Sequence, residues 1–66
     1  MTNDEIGTVA GKIWHYLDAN GECTIARLKK ELGDNDTAIL MGLGWLAKED
    51  KLVFVKRASV LSVSLK

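Results

Sequence analysis

After Glu49 the apolar residues of this 66-residue chain change their spacing, from every third or fourth position to every second. Upstream, Ile6, Val9, Ala10, Ile13 and Leu17 recur as the stripe of one helix. Ile25, Leu28 and Leu32 make a second stripe, and Ile39, Leu43 and Leu46 a third. Downstream, Leu52-Val53-Phe54-Val55 is β-branched and aromatic, and Val60-Leu61-Ser62-Val63-Ser64-Leu65 alternates apolar with polar. A chain that is helical first and extended last has to lay a hairpin against its helices, so the expected class is α+β.

The punctuation between these segments divides the helical part. Thr2 and Glu5 have capping-box spacing, with Asn3 as an alternative cap, and Asp4 and Glu5 favour the positive end of a helix dipole. A first helix is therefore expected from about Thr2 to Asn20, ended by Asn20-Gly21. Glu22-Cys23-Thr24 reads as a stub of strand, and Thr24 as the cap of a second helix reaching about Leu32. Gly33 closes that helix, and Asp34-Asn35-Asp36 is a turn in which Asn35 caps a third helix from Asp36 to about Glu49. Lys56-Arg57-Ala58-Ser59 is left as the hairpin loop. The order matches the winged helix-turn-helix plan: three helices, a short strand and a C-terminal β-hairpin wing, with residues 1–66 as one domain.

Blocks of this sequence also resemble a known family. Ile6-Gly7-x-x-Ala10-Gly11-Lys12-Ile13-Trp14 and Leu43-Gly44-Trp45-Leu46-Ala47-Lys48-Glu49-Asp50-Lys51-Leu52 are similar to small bacterial and archaeal winged-helix proteins grouped as a domain of unknown function. The resemblance spans nearly the whole chain and implies the winged-helix fold and a non-enzymatic role. More widely, Thr24-Ile25-x-x-Leu28 and Leu46 with Leu52-Val53 look like the helix-turn-helix of bacterial transcription regulators. Those regulators carry serine, arginine and glutamine on the outer face of the third helix, and this chain does not.

Charge narrows the function. Nine basic residues are balanced by nine acidic ones, where an electrostatically driven nucleic-acid binder usually has a basic excess. If Ile39, Leu43 and Leu46 face inward, then Thr37, Met41, Gly44 and Lys48 face outward with Trp45 at their edge. A major-groove reader needs Arg, Asn or Gln there. Asp34 and Asp36 stand at the end of the helix that would approach phosphates first. Met41 and Trp45 either fold back onto the core or form an apolar surface for a partner, since both residue types are enriched in interfaces. Gly7 and Gly11 lie four residues apart on the first helix, a spacing that admits a close neighbour. That neighbour is either another part of this chain or a second copy. With Trp14 these residues make the candidate protein interface.

The candidate contacts to a DNA backbone are Lys56 and Arg57 at the wing, Arg27, Lys29 and Lys30 on the second helix, and Lys48 on the third. Lysines on an outer hairpin also serve simply as edge protection. His15 has no companion at metal-ligand spacing. Cys23 is the sole cysteine, which excludes an intrachain disulfide, and its place beside a helix start allows either a lowered pKa or simple burial. No nucleophile–base set, phosphate-binding loop, cofactor motif or small-molecule site is visible. The acidic start Met1-Thr2-Asn3-Asp4-Glu5 is unlike a signal peptide, and no stretch is apolar enough for a membrane span, so a cytoplasmic location is expected. The reading that follows is a module for protein–protein interaction or homodimerisation in a regulatory context. The alternative is a DNA-binding regulator-type domain that uses its wing and second helix.

Overall fold

The computed structural model describes residues 2–66. Helix α1 spans Asn3–Asn20, strand β1 Cys23–Thr24, α2 Ile25–Leu32 and α3 Asp36–Lys48. The hairpin strands are β2, Leu52–Arg57, and β3, Val60–Leu65. The three strands form one antiparallel sheet in the order β1-β3-β2, which leaves β2 as a free edge. Cys23 pairs with Val63, and Phe54 pairs with Val63 from the other side.

Side-chain caps set the helix starts. The Glu5 N–H donates to Thr2 Oγ1 at 3.2 Å, Arg27 N–H to Thr24 Oγ1 at 3.1 Å, and Ala38 N–H to Asn35 Oδ1 at 2.8 Å. The Thr2 hydroxyl also donates to the Glu5 carboxylate at 3.2 Å, joining the two residues of the expected capping box. Gly33 ends α2 at φ 72°, a left-handed conformation that glycine adopts without a Cβ penalty.

The core follows the sequence stripes. Val9, Ala10, Ile13 and Leu17 of α1 pack with Ile39, Leu43 and Leu46 of α3, and Leu28, Cys23, Leu52 and Val63 close the cluster. Each fully buried aliphatic side chain here stabilises the fold by ~1.5–3 kcal/mol. One contact was not anticipated. Gly42 sits where α3 crosses α1, and a Cβ built there would lie 2.9 Å from Ile13 Cδ1, 3.0 Å from Val9 Cγ1 and 3.2 Å from the Ala10 backbone nitrogen. Gly7 and Gly11, which the sequence nominated for close approach, have nothing within 4 Å of an added Cβ. Their expected packing against another part of this chain is therefore not made; the helices meet at Gly42.

The hairpin is also tighter than expected. Lys56 and Arg57 belong to β2, paired with Leu61 and Val60, and Ala58-Ser59 alone makes the turn, with Ala58 at φ 56°. The ladder extends two residues further because a two-residue reversal suits the twist of a hairpin. Among the described residues, no helix is long and apolar enough to cross a membrane.

Candidate functional site

The outer face of α3 is apolar and open. Leu40 is 53% exposed, Met41 41% and Trp45 38%, so the two residues with alternative sequence readings do not fold into the core. Leu40 was not singled out from the sequence. It lies one turn before Gly44, and nothing in the third stripe marks it as uncovered.

Leu40 borders a groove of about 510 Å³ between α3 and the hairpin. Leu40, Leu43 and Gly44 form one wall, Phe54, Val60 and Leu61 the other, and Thr24, Ile25 and Ala26 close the end. No lining residue is charged. Phe54 and Leu61 face the groove because strand alternation places them on the same face as Leu52 and Val63, which are buried. Phe54, Val60 and Leu61 stay exposed there. Sequence alternation gave these residues the right face but said nothing of how far α3 extends over them.

A smaller groove of about 280 Å³ lies on the α1 side of α3. Gly7, Gly11, Trp14 and Trp45 line it, so four of the five interface candidates do come together. Trp14 is only half available, being packed against the core and edge-on to exposed His15 at 5.4 Å between ring centroids. Met41 stands one turn before Trp45, outside this groove.

The basic candidates separate into two groups. Arg57 bonds Glu22 at 2.6 Å, Arg27 lies 3.9 Å from Glu31 with its Nε donating to the Tyr16 hydroxyl at 3.1 Å, and Lys29 lies 3.7 Å from Asp36. Lys30, Lys48 and Lys56 have no carboxylate partner among the described residues. Lys56 and Arg57 do not act as a pair at the wing tip. As neighbours on one strand they project from opposite faces, and Arg57 is turned toward Glu22.

The acids at the α3 start are held as well. Asp34 lies 3.4 Å from Lys12 and Asp36 3.7 Å from Lys29, so their repulsion of phosphates is weaker than the sequence suggests. The carboxylates without partners among the described residues are Asp4, Glu5 and Asp18, all on α1. Zero net charge thus conceals a polarised surface.

Cys23 is buried, and its thiol pKa is raised, chiefly by that burial; Arg27 opposes the shift and Glu22 adds to it. The lowered pKa considered from its place beside a helix start does not occur. Desolvation of the thiolate outweighs the nearby guanidinium.

Helix-turn-helix α2–α3 followed by a hairpin wing, with β1 completing the sheet, defines a winged helix-turn-helix domain. The chain belongs to the winged helix-turn-helix domain family DUF2582, whose model matches residues 1–65. It is 38% identical over 65 residues to the uncharacterized protein MJ1608 of Methanocaldococcus jannaschii, covering 94% of this chain and 91% of that one. Its fold is similar to the solution structure of protein BT2368 from Bacteroides thetaiotaomicron, with TM-score 0.88, 26% identity, and 98% of this chain and 79% of that chain covered. It is also similar to the Zalpha domain of Carassius auratus PKZ, solved in complex with Z-DNA, with TM-score 0.78, 18% identity, and 92% and 97% of the two chains covered. At that identity the last likeness is one of fold alone.

Proposed function

We propose that this chain is a non-enzymatic protein-interaction module that uses the outer face of α3, in a regulatory context. The observation that carries the reading is the exposure of Leu40, Met41 and Trp45 on the helix where a major-groove reader presents hydrogen-bond donors. Large apolar residues left open on a small domain mark a surface that is covered in use. Trp and Met are the residue types that interfaces enrich. The partner is either a different protein or a second copy of this chain.

DNA binding is the second reading. It is favoured by the unpaired cations Lys30, Lys48 and Lys56, and by the helix-turn-helix plan shared with a domain solved on Z-DNA. Titrating a random-sequence duplex into the labelled protein at low salt separates the two. The interaction reading expects amide spectra that do not move. Shifts at Lys30, Lys48 and Lys56 that fade steeply as salt rises would replace it with the DNA reading. Sedimentation with and without Trp45→Ala then addresses self-association, which requires an oligomer that the substitution dissolves while the fold persists.

A further inference from the structure

Each of the three unpaired cations follows a residue of the same groove by one helical turn or one strand step. Lys30 is one helical turn after Ala26, Lys48 one turn after Gly44, and Lys56 is two residues after Phe54 and the cross-strand partner of Leu61. Ala26, Gly44, Phe54 and Leu61 all line the groove between α2, α3 and the hairpin. Residues four apart on a helix, or two apart on a strand, share a face. A helical side chain also leans back over the preceding turn, so Lys48 inclines toward Gly44 and Lys30 toward Ala26. The groove therefore has an uncharged apolar lining, with Lys30, Lys48 and Lys56 one turn or one strand step outside it, Lys48 also bordering Trp45 and Glu49.

Chance does not favour this arrangement. The chain's other six cations all lie within ion-pair distance of a carboxylate, and the carboxylates unpaired among the described residues are on α1. Cations kept free around an apolar cleft complement anions flanking an apolar insert. We infer that this groove docks a segment of a partner protein in which large apolar side chains are flanked by aspartate or glutamate. This rests on the interaction reading and names its partner's chemistry.

Two other occupants fit the groove less well. A nucleic-acid strand would satisfy the lysines and leave Leu40, Phe54, Val60 and Leu61 without apolar cover, since base edges need polar donors. A second copy set groove to groove would bring the two sets of unpaired lysines together, a like-charge contact that disfavours it. The groove volume of about 510 Å³ is within the range of roughly 300–1,000 Å³ typical of sites that enclose a compact apolar ligand.

The test is selection of a random-peptide display library on the immobilised full chain, followed by titration of the selected peptides in solution. Enrichment of Asp and Glu beside Leu, Ile, Phe or Trp is expected, with amide shifts at Leu40, Gly44, Phe54 and Leu61. Each of Lys30→Glu, Lys48→Glu and Lys56→Glu should weaken binding by about two- to fivefold, the range of an exposed ion pair. These exposed substitutions leave the core untouched, so folding does not obscure the readout.

Enriched peptides lacking acidic residues, or peptides that shift Gly7, Trp14 and Trp45 instead, overturn the inference and leave the interaction reading intact. No enrichment overturns it as well. If the duplex also shifts the three lysines, the interaction reading falls with it. A dimer in sedimentation that protects Leu40 and Phe54 assigns the groove to a second copy and removes the acidic partner.

Discussion

The two faces of α3 are almost equally apolar and have opposite fates. Inward, Ala38, Ile39, Gly42, Leu43 and Leu46 are buried, with Gly42 letting the α1 backbone come close. Outward, Leu40, Met41 and Trp45 meet solvent on a helix of the same composition. A helix that is hydrophobic all round belongs in an interior, and this one is only half inside. The difference teaches that amphipathicity is not what orients α3. The α1 stripe and the glycine at the crossing fix the inner face, and the outer face is free to serve something else.

The largest expected effect breaks that comparison at adjacent residues. Ile39→Ala removes a side chain that is wholly enclosed, and should cost ~2–5 kcal/mol of unfolding free energy. Leu40→Ala deletes a similar volume one residue later, from a half-exposed site, and should stay within ~0.5 kcal/mol of the parent. Urea unfolding of the two variants measures this. Equal losses would mean that the outer face is packed after all.

The glycines sharpen the comparison with a change of sign. Gly42→Ala sets a methyl group against Ile13, Val9 and the Ala10 backbone, and the backbone cannot yield without moving α1. Overpacking of this kind costs ~1–3 kcal/mol, which exceeds the ~1 kcal/mol that alanine gains over glycine in a helix. Gly44→Ala, with open space around it, should instead stabilise by ~0.5–1 kcal/mol. The same methyl group enters the groove wall, so Gly44→Ala should also weaken the selected acidic peptides while raising the melting temperature. Stability and binding moving in opposite directions is a signature that damage to the fold does not produce.

Most of the fold was legible in the sequence, and the reasons are local. Thr24 and Asn35 start helices because their side chains reach the third following N–H, and that depends on a few residues only. The stripes of α1, α2 and α3 and the alternation of β3 are likewise short-range signals. The site was less legible. Leu40, Phe54, Val60 and Leu61 become a groove only where α2, α3 and the hairpin come together in space, which no period encodes. Gly7 and Gly11 were selected for their spacing, whereas Gly42 does the work of close approach, since it alone lies at the crossing point. Free and occupied cations also look identical in sequence. Arg57 meets Glu22 thirty-five residues away, a contact set by sheet register.

The smallest expected effect concerns the two faces of the hairpin. Arg57→Ala breaks a 2.6 Å ion pair with Glu22, but the Arg57 side chain is 68% exposed, and screened pairs of this kind are worth ~0–1 kcal/mol. Stability should therefore hardly change, and because Arg57 is already turned toward Glu22, affinity for the selected peptides should not change either. Lys56→Glu, one residue earlier, should leave stability equally untouched and reduce that affinity. If Arg57→Ala and Lys56→Glu weaken the peptides alike, the effect is long-range charge alone and the placement of Lys56 beside the groove carries no weight. If only Lys56 matters, adjacent positions of a single strand separate a cation engaged by a carboxylate of this chain from one that is free to meet a partner.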